Sequence, residues 1–232
     1  MFSESLVRMI SVIIPTLNEE SALEKSIIPA RSCKDAEIIV SDGGSLDGTL
    51  AMAQMLADKA ISSPAGRGVQ MNRGAAGAAG DILLFLHADT ILPPGWDGHI
   101  REALTDDRIA GGAFSFSLSG SSSHFTLISL MVNLRSRLLK LPYGDQALFI
   151  RRTVFEELGG FREIPIMEDL ELVKGMRRAG GLAILKQPVI TSSRRWEKEG
   201  WLWTTARNLS LLFLYRLGAS PEKLYRFYRA VR

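Results

Sequence analysis

Short apolar runs that end in polar clusters are the feature that most constrains the fold of this chain. Between the first three runs lie segments with helix-starting signals, near Asn18 and near Asp47, whose side chains can cap a helix N-terminus. Strands that alternate with helices predict an α/β domain with a mostly parallel central sheet flanked by helices. The runs with the composition of buried strands are MISVIIP (9–15), AEIIVSD (36–42), DILLFLH (81–87) and AGGAFSFSLS (110–119).

Each of the first three runs is followed directly by polar residues. In open parallel sheets, ligands bind at the carboxyl ends of the strands, where loops lead into helices. The polar clusters are therefore predicted to converge on one edge of the sheet. They are PTLNEE after the first run, SDGGSLDGT after the second and HADT after the third.

The chain past Gly120 has a different character, but it contains no linker and no internal repeat. Its pattern predicts an amphipathic helix, a short strand and a second helix that ends at Gly180 and Gly181. These segments are SSSHFTLISLMVNLRSRLLK, ALFIRR and MEDLELVKGMRRAG. With 232 residues, of which 46% are hydrophobic, the chain can bury a sizeable core, and a single domain is the simplest organisation.

The cysteine and charge content restrict the environment and the partners. Cys33 is the single cysteine, which excludes an internal disulfide framework and fits a reducing compartment, so we expect a cytoplasmic protein. The first residues lack the long apolar region of a signal peptide. The net charge of +3 does not argue for nucleic acid as a partner, but ten basic and three acidic residues fall between Lys186 and Arg232. This basic region is either a solvated face or a surface for an anionic partner.

The glycine-rich stretch GRGVQMNRGAAGAAGD allows two interpretations. Backbone N–H groups at its start, together with Arg67, suit a phosphate. A helix made of glycine and alanine can equally lie very close to the sheet, and a lone glycine-rich loop does not decide between the two.

His87 and Asp89 follow the apolar run 81–87 and are predicted to point to the same side of the chain, since side chains alternate along a strand. They could flank one small object at the rim of the sheet. A divalent cation that bridges two phosphates is the natural candidate, because Mg²⁺ and Mn²⁺ prefer oxygen ligands. The alternative is that Asp89 simply caps the next helix.

The segment MEDLELVKGMRR places an acid where an apolar residue is expected. At about 100° per residue, Asp169 falls in the middle of an apolar helix face, Glu168 lies at its edge and Glu171 points away. The helix dipole explains acids in a first turn, which accounts for Glu171. It does not explain an inward-facing acid, which must be paired or have a raised pKa, as a general base in a cleft can.

The order of these motifs resembles glycosyltransferase family 2, inverting enzymes of the GT-A (Rossmann-like) fold. More narrowly it resembles the subgroup named after arsenosugar biosynthesis, also called selenodomain-associated transferases. The resemblance covers about residues 9–200. It is carried by SVIIPTLNEE, VSDGGSLDGT, GRGVQMNRGAAGAAGDILLFLHADT, GDQALFIRRTVFEELGGF, MEDLELV and RRW.

The resemblance implies a role for each matching position. Asp169 stands where the family has its catalytic base, and Asp89, with His87, occupies the motif that binds a divalent cation, Mg²⁺ or Mn²⁺. The residues implied to bind a nucleoside-diphosphate sugar donor are Pro15, Thr16, Glu19, Asp42, Arg67, Asn72, His87 and Asp89. Those implied to border the acceptor and the diphosphate are Asp145, Gln146, Glu168, Arg195 and Trp196.

Two departures from the family pattern qualify this expectation. His87 replaces the first acid of the metal motif, so the site has one negative charge fewer against the incoming diphosphate than the family pattern has. Ser192 stands where processive members have Gln or Arg, so we expect a single transfer to a small-molecule or lipid-linked acceptor. The expected domain has a donor-binding half (9–119), an acceptor and catalytic half (120–200) and a helical extension (201–232).

Two other functions remain open at this stage. A sugar nucleotidyltransferase shares a Rossmann-like sheet and a basic glycine-rich loop, but here the loop follows the second strand rather than the first. A sugar-nucleotide-binding protein without activity would explain His87 in the metal motif.

The segment GWLWTTARNLSLLFLYRLG contains Arg207 and Arg216, which makes it unsuited to spanning a bilayer. Its aromatic and basic content would let it lie peripherally at the inner face of a membrane. The alternative is a helix packed on the core or in a homodimer.

Overall fold

The computed structural model describes residues 9–230 of the chain, with side chains through Tyr228. Eight strands form one sheet in the order β3-β2-β1-β4-β7-β6-β8-β5. The strands are β1 (Ile10–Thr16), β2 (Ala36–Asp42), β3 (Lys59–Ser62), β4 (Ile82–Phe85), β5 (Thr90–Ile91), β6 (Ile109–Leu118), β7 (Leu148–Arg151) and β8 (Gly181–Thr191).

The described residues also contain ten α-helices and one 3₁₀ turn at Gly144–Gln146. The helices are α1 (Glu20–Ala30), α2 (Thr49–Leu56), α3 (Arg67–Ala76), α4 (Trp96–Ala103), α5 (Ser123–Leu139), α6 (Arg152–Glu157), α7 (Glu168–Ala179), α8 (Arg194–Glu199), α9 (Trp201–Arg216) and α10 (Pro221–Ala230).

The sheet is mostly parallel, as the sequence predicts. β3, β2, β1 and β4 are parallel neighbours, and β6 is parallel to β8. Antiparallel pairing joins β4 to β7, β7 to β6, and β5 to β8. The carboxyl ends of β1, β2 and β4 therefore meet at one edge, and the chain is a single α/β domain.

Three strands, β3, β5 and β8, are not predicted by the sequence analysis. β5 has two residues and β3 has four half-buried or exposed residues, so neither shows a clear period. β8 reads GLAILKQPVIT, and its polar residues and Pro188 interrupt the alternation. A register shift between Ala113 and Ser115 of β6 accommodates that irregular strand.

Side chains of β1 alternate between two cores. Ile10, Val12 and Ile14 lie in a cluster on one face with Trp96 of α4, whereas Ile13 lies on the opposite face. This alternation follows from the period of two along a strand. The sheet is therefore covered on both sides, which explains why its central strands are continuously apolar.

The glycine-rich helix α3 packs directly on the sheet. A Cβ added to Gly74 would lie 2.4 Å from Cγ2 of Ile13, a distance that only glycine tolerates. The close-packing interpretation of this stretch is confirmed, and the small residues set the distance between α3 and β1.

The helices α5 and α9 keep apolar side chains at the surface. Leu130, Leu134 and Leu138 of α5 are exposed, as are Leu209 and Phe213 of α9. None of the helices between residues 9 and 230 combines the length and the apolar character that crossing a bilayer requires.

Candidate active site

The ends of β1 and β2 are joined by buried polar contacts. Asp42 accepts hydrogen bonds from the hydroxyl of Thr16 (3.1 Å) and from the backbone N–H groups of Gly44 (3.0 Å) and Ser45 (2.9 Å). Gln70 of α3 donates to the carbonyls of Thr16 (2.7 Å) and Ser41 (2.9 Å). The edge of the sheet is thus rigidly connected before any ligand binds.

Asp42 is held in its ionised form by these donors. Burial by itself would raise the pKa of the Asp42 carboxyl, but the hydrogen bonds from Ser45, Gly44 and Thr16 outweigh burial and lower the pKa. The side chain is almost inaccessible, and each of its oxygens accepts bonds within the protein. Its carboxylate shapes the loop 43–45 around the strand end.

A backbone contact at Gly144 brings the central strand and the late helix together. The N–H group of Gly144 donates to Oδ2 of Asp169 at 2.8 Å. A Cβ added to Gly144 would lie 3.1 Å from Nε2 of His87 and 3.3 Å from Oδ2 of Asp169. His87 and Asp169, which are distant in sequence, therefore face the same glycine, and a side chain there would fill the space between them.

His87 is a neutral imidazole in this arrangement. Burial, followed by the nearby positive charges of Arg67 and Arg195, lowers the pKa of His87 to about 3. A neutral imidazole can accept a hydrogen bond or bind a metal ion, but it brings no charge of its own. Arg195, which was predicted to border the diphosphate, therefore lies near enough to His87 for its charge to act on the imidazole.

Arg67, at the start of α3, pairs with Glu168, which was predicted to border the acceptor and the diphosphate. Its Nε lies 2.8 Å from Oε1 of Glu168, which is buried at the start of α7. Burial raises the pKa of the Glu168 carboxyl against the charge of Arg67, which lowers it. The helix-face prediction was wrong in placing Glu168 at the edge, since Glu168 is buried and Asp169 is half-buried. Glu168 lies on the same helix face as the buried Leu172 and Met176, four and eight residues later, and its carboxylate is paired with Arg67.

Asp145 lies beside this cluster with an unsatisfied oxygen. Burial, with a further contribution from the charge of Asp169, raises the pKa of Asp145 to about 6, against the opposing charge of Arg135. Its Oδ1 is buried and has no hydrogen-bond partner among the described residues. An orphaned buried acceptor of this kind is ready to receive a donor from a ligand.

Asp89 and Glu19 both lie close to one positively charged side chain, that of Arg194. Nη2 of Arg194 contacts Oε2 of Glu19 and lies 3.8 Å from Oδ2 of Asp89. Contact with Glu19 raises the pKa of the Arg194 guanidinium. Arg194 is missed by the sequence analysis, and its position directly before the Arg195–Trp196 pair was the only available signal.

Some predicted site residues have other partners in the structure. Both polar atoms of the Asn72 amide bind the backbone of Phe161, at 2.8 and 2.9 Å. Gln146 is buried, and it donates to the carbonyl of Phe114 (2.9 Å) and accepts from Ser136 (2.7 Å). The two side chains brace the loops near the site.

The remaining two predicted site residues, Pro15 and Trp196, are packed against the protein. Pro15 is buried within β1, next to the Thr16 contact. Trp196 packs against the small cluster formed by Phe116, Leu118 and Ile128. Both residues contribute shape rather than polar contacts.

A divalent cation is compatible with the residues present. Among residues 9–230 no three His, Cys, Asp or Glu side chains are grouped closely enough to hold a metal ion by themselves. Mg²⁺ characteristically takes one or two protein carboxylates and completes its shell with substrate phosphates. Asp89, partly exposed at the rim and already beside a positive charge, suits that role, and neutral His87 can contribute a nitrogen.

Curated proteins of known name match part of this chain. A PGL/p-HBAD biosynthesis glycosyltransferase of Mycobacterium bovis is 41% identical over 93 residues, and the match covers 36% of each protein. A glucosyl-3-phosphoglycerate synthase of Mycobacterium tuberculosis is 35% identical over 98 residues, 37% of this chain and 30% of that protein. The chain thus matches about a third of the length of these relatives.

Solved structures share the fold over most of the chain. Mannosyltransferase PcManGT from Pyrobaculum calidifontis, in complex with GDP-Man and Mn²⁺, has a TM-score of 0.67 and 18% identity, covering 97% of this chain and 70% of that one. Glucosyl-3-phosphoglycerate synthase from Mycobacterium tuberculosis, in complex with Mn²⁺, UDP and glucosyl-3-phosphoglycerate, has a TM-score of 0.59 and 24% identity, covering 78% and 70%. At these identities the likeness shows the fold.

The family model for glycosyl transferase family 2 matches residues 11–159, more than half of the chain and the stretch that carries β1 to β7. On that match, together with the shared fold, the chain belongs to glycosyl transferase family 2.

Proposed function

We propose that this protein transfers one sugar from a nucleoside-diphosphate sugar to an acceptor hydroxyl, with inversion at the anomeric carbon. The meeting of His87 and Asp169 at Gly144 carries the proposal, because it places a carboxylate opposite the end of the central strand. Within the domain, we propose residues 9–119 as the donor-binding half and 120–200 as the acceptor half, and of the predicted extension 201–232 the described part, through residue 230, is helical.

Asp169 is proposed as the general base. Its Oδ2 is held by the N–H of Gly144 and its Oδ1 by the N–H of Leu170, so the carboxylate is oriented before the acceptor arrives. As the acceptor oxygen attacks the anomeric carbon, Asp169 takes the hydroxyl proton, and the bond to the diphosphate oxygen breaks on the opposite face. Configuration inverts because attack and departure occur on opposite sides.

The donor is proposed to lie along the edge formed by the loops after β1, β2 and β4. Thr16, Asp42 and Gln70 keep that edge in place, and the positive charges of Arg67 and Arg195, both near His87, would face the diphosphate. Asp89, with His87, would hold a divalent cation, which when bound neutralises charge on the leaving diphosphate. The complexes of PcManGT with GDP-Man and Mn²⁺ and of the synthase with UDP and Mn²⁺ support this class of donor and cofactor.

The acceptor side is proposed to include Asp145 and Glu168. Each has a buried carboxylate oxygen with no hydrogen-bond partner among the described residues, and each lies near Asp169. Acceptor hydroxyl groups would supply the missing donors. The arsenosugar or selenodomain-associated subgroup stays a proposal, and a single transfer rather than polymerisation follows from Ser192.

A lipid-linked acceptor is consistent with the exposed apolar residues of α5 and α9. These helices would lie at the inner face of a membrane or pack in a homodimer. Co-sedimentation with vesicles that contain anionic lipid, and light scattering without lipid, distinguish the two arrangements. Failure to bind vesicles at low salt removes the membrane proposal.

A donor screen tests the proposed function. Nucleoside diphosphates and their sugars are added to the protein with and without Mn²⁺, and the unfolding midpoint is measured, since ligands of the folded state raise apparent stability. Release of free nucleoside diphosphate with an acceptor supports transfer. Pyrophosphate formed from a nucleoside triphosphate and a sugar phosphate would indicate a nucleotidyltransferase instead. Donor binding without turnover on any acceptor would indicate a non-catalytic binding protein.

A further inference from the structure

One positive side chain already occupies the space between two carboxylates of the cleft. The guanidinium of Arg194 contacts Glu19 from the loop after β1, and it lies 3.8 Å from Asp89, which follows β4. Asp89 is the carboxylate to which we assign the divalent cation. The side chain of Arg194 therefore stands where a second cation would have to approach.

The backbone around Arg194 is fixed, although its side chain is not enclosed. The N–H of Ser192 donates to the carbonyl of Asp89 at 3.1 Å, and the hydroxyls of Thr90 and Thr191 lie 3.0 Å apart across β5 and β8. The Arg194 side chain is 50% exposed, so its far end can rotate into solvent or into the cleft. The fold thus holds a movable cation beside Asp89.

Two cations cannot share one carboxylate without repelling each other. A divalent cation needs direct contact with an oxygen of Asp89, whereas Arg194 is permanently charged and cannot give up its proton. Binding of a free divalent cation must therefore push Arg194 away from Asp89. By linkage, the presence of Arg194 weakens the binding of that cation by the same factor.

A nucleoside diphosphate removes this conflict. Its phosphate oxygens are negative and planar guanidinium groups bind phosphates through paired hydrogen bonds. Arg194 can then leave Asp89 for the diphosphate while the divalent cation takes its place. The side chain is close enough to the rim for this exchange because it already contacts residues from two of the loops that line the donor edge.

We propose that Arg194 is a resident counter-cation of Asp89 and Glu19 that suppresses binding of a free divalent cation and makes that cation bind together with the donor diphosphate. This inference rests on the proposed function of the cleft. It makes Arg194 a positioning residue that orders ligand binding.

The test measures binding of Mn²⁺ alone to the full chain, by electron paramagnetic resonance of the free ion. Arg194→Ala is expected to bind Mn²⁺ about two- to fivefold more tightly than the unaltered protein, because the competing charge is gone. Arg194→Lys keeps the charge and is expected to remain close to the unaltered protein. Arg108→Ala is the matched control, since Arg108 is an exposed arginine paired with Asp106 away from the cleft.

A second arm repeats the titration with UDP or GDP present. The difference between the unaltered protein and Arg194→Ala is expected to shrink or reverse, because Arg194 then helps to hold the diphosphate. The double variant Asp89→Asn, Arg194→Ala is expected to lose the tighter Mn²⁺ binding of Arg194→Ala. That loss would show that the tighter binding depends on Asp89. Unfolding midpoints of all variants establish that each is folded.

Equal affinity of Arg194→Ala, Arg108→Ala and the unaltered protein for Mn²⁺ overturns the inference. The result is independent of sugar transfer, since the first arm contains neither donor nor acceptor. Transfer activity with unchanged Mn²⁺ affinity would leave the proposed function intact and remove only the role of Arg194. Tighter Mn²⁺ binding without any transfer would support the inference about this carboxylate pair and count against the proposed function.

Discussion

The donor edge and the acceptor side of the cleft differ in how completely their polar groups are satisfied. At the donor edge, Asp42, Thr16 and Gln70 bind one another or nearby backbone groups. On the acceptor side, Oδ1 of Asp145 and Oε2 of Glu168 are buried and have no hydrogen-bond partner among residues 9–230. Apart from the buried hydroxyl of Ser41, which also has no partner among residues 9–230, the donor edge is paired before a ligand binds, whereas the acceptor side leaves carboxylate oxygens unpaired.

This difference has an energetic meaning. A buried polar group without a partner costs about 1–3 kcal/mol, and it persists only where something else compensates. Unsatisfied acceptors beside Asp169 are therefore expected at the place where a hydroxyl-rich acceptor binds. The satisfied donor edge is expected to tolerate substitution poorly, because each change breaks several contacts together.

The largest expected effect tests the acceptor side. Asp169→Asn removes the proposed base but keeps the size of the side chain, so transfer should fall by about 10²–10⁴-fold. Donor binding, measured as a rise in the unfolding midpoint, should stay unchanged. The matched control is Glu171→Gln on the same helix, whose side chain pairs with Lys174 outside the cleft. Equal turnover in Asp169→Asn and the unaltered protein would remove Asp169 from the mechanism.

The second prediction concerns the close packing of α3 on β1 in the donor-binding half. Gly74→Ala forces a methyl group against Ile13 and should lower the free energy of unfolding by about 1–3 kcal/mol. Gly98→Ala in α4 is the control, since nothing lies within 4 Å of the added Cβ. That helix should gain about 0.5–1 kcal/mol. Urea unfolding measures both, and equal behaviour of the two variants would contradict the close packing of α3.

The third prediction concerns Asp145, on the acceptor side of the cleft, and uses the pH dependence of the free energy of unfolding. The pKa of Asp145 is raised from 3.8 to about 6, so its stabilising contribution is complete below pH 3.8 and is lost as pH rises through 6. Asp145→Asn should remove this loss and be more stable than the unaltered protein at pH 8, by on the order of 1–2 kcal/mol. The control Asp107→Asn changes an exposed carboxylate. A parallel pH profile for Asp145→Asn and the unaltered protein would exclude the raised pKa.

The smallest effect concerns the exposed helix α9. Phe213 is 62% exposed, so Phe213→Ala should change the free energy of unfolding by less than about 0.5 kcal/mol. Leu211→Ala on the same helix removes a buried side chain and should cost about 2–5 kcal/mol. Vesicle binding of the two variants then measures whether the exposed face of α9 contacts lipid, independently of the change in stability. A large loss of stability in Phe213→Ala would show that this face is covered in solution.

Local patterns predicted most of the parallel half of the sheet. β1, β2 and β4 appear as apolar runs because a buried parallel strand contacts core on both faces, and polar clusters follow each of them. The helix α7 was predicted through its apolar period and its glycine stop. By contrast, β8 pairs with β6 through an irregular register, and its sequence lacks the regular apolar pattern that predicts a strand.

The sequence by itself determined the apolar strands β1, β2, β4, β6 and β7, the family motifs and the edge on which the polar loops converge, because short-range periodicity and polarity encode these features. Only the tertiary structure decided that Gly144 joins His87 to Asp169, that Asn72 and Gln146 brace loops, and that Arg194 reaches Asp89. These contacts join residues far apart in the chain. Their partners are chosen by how the elements pack, and no local pattern of residues specifies that choice.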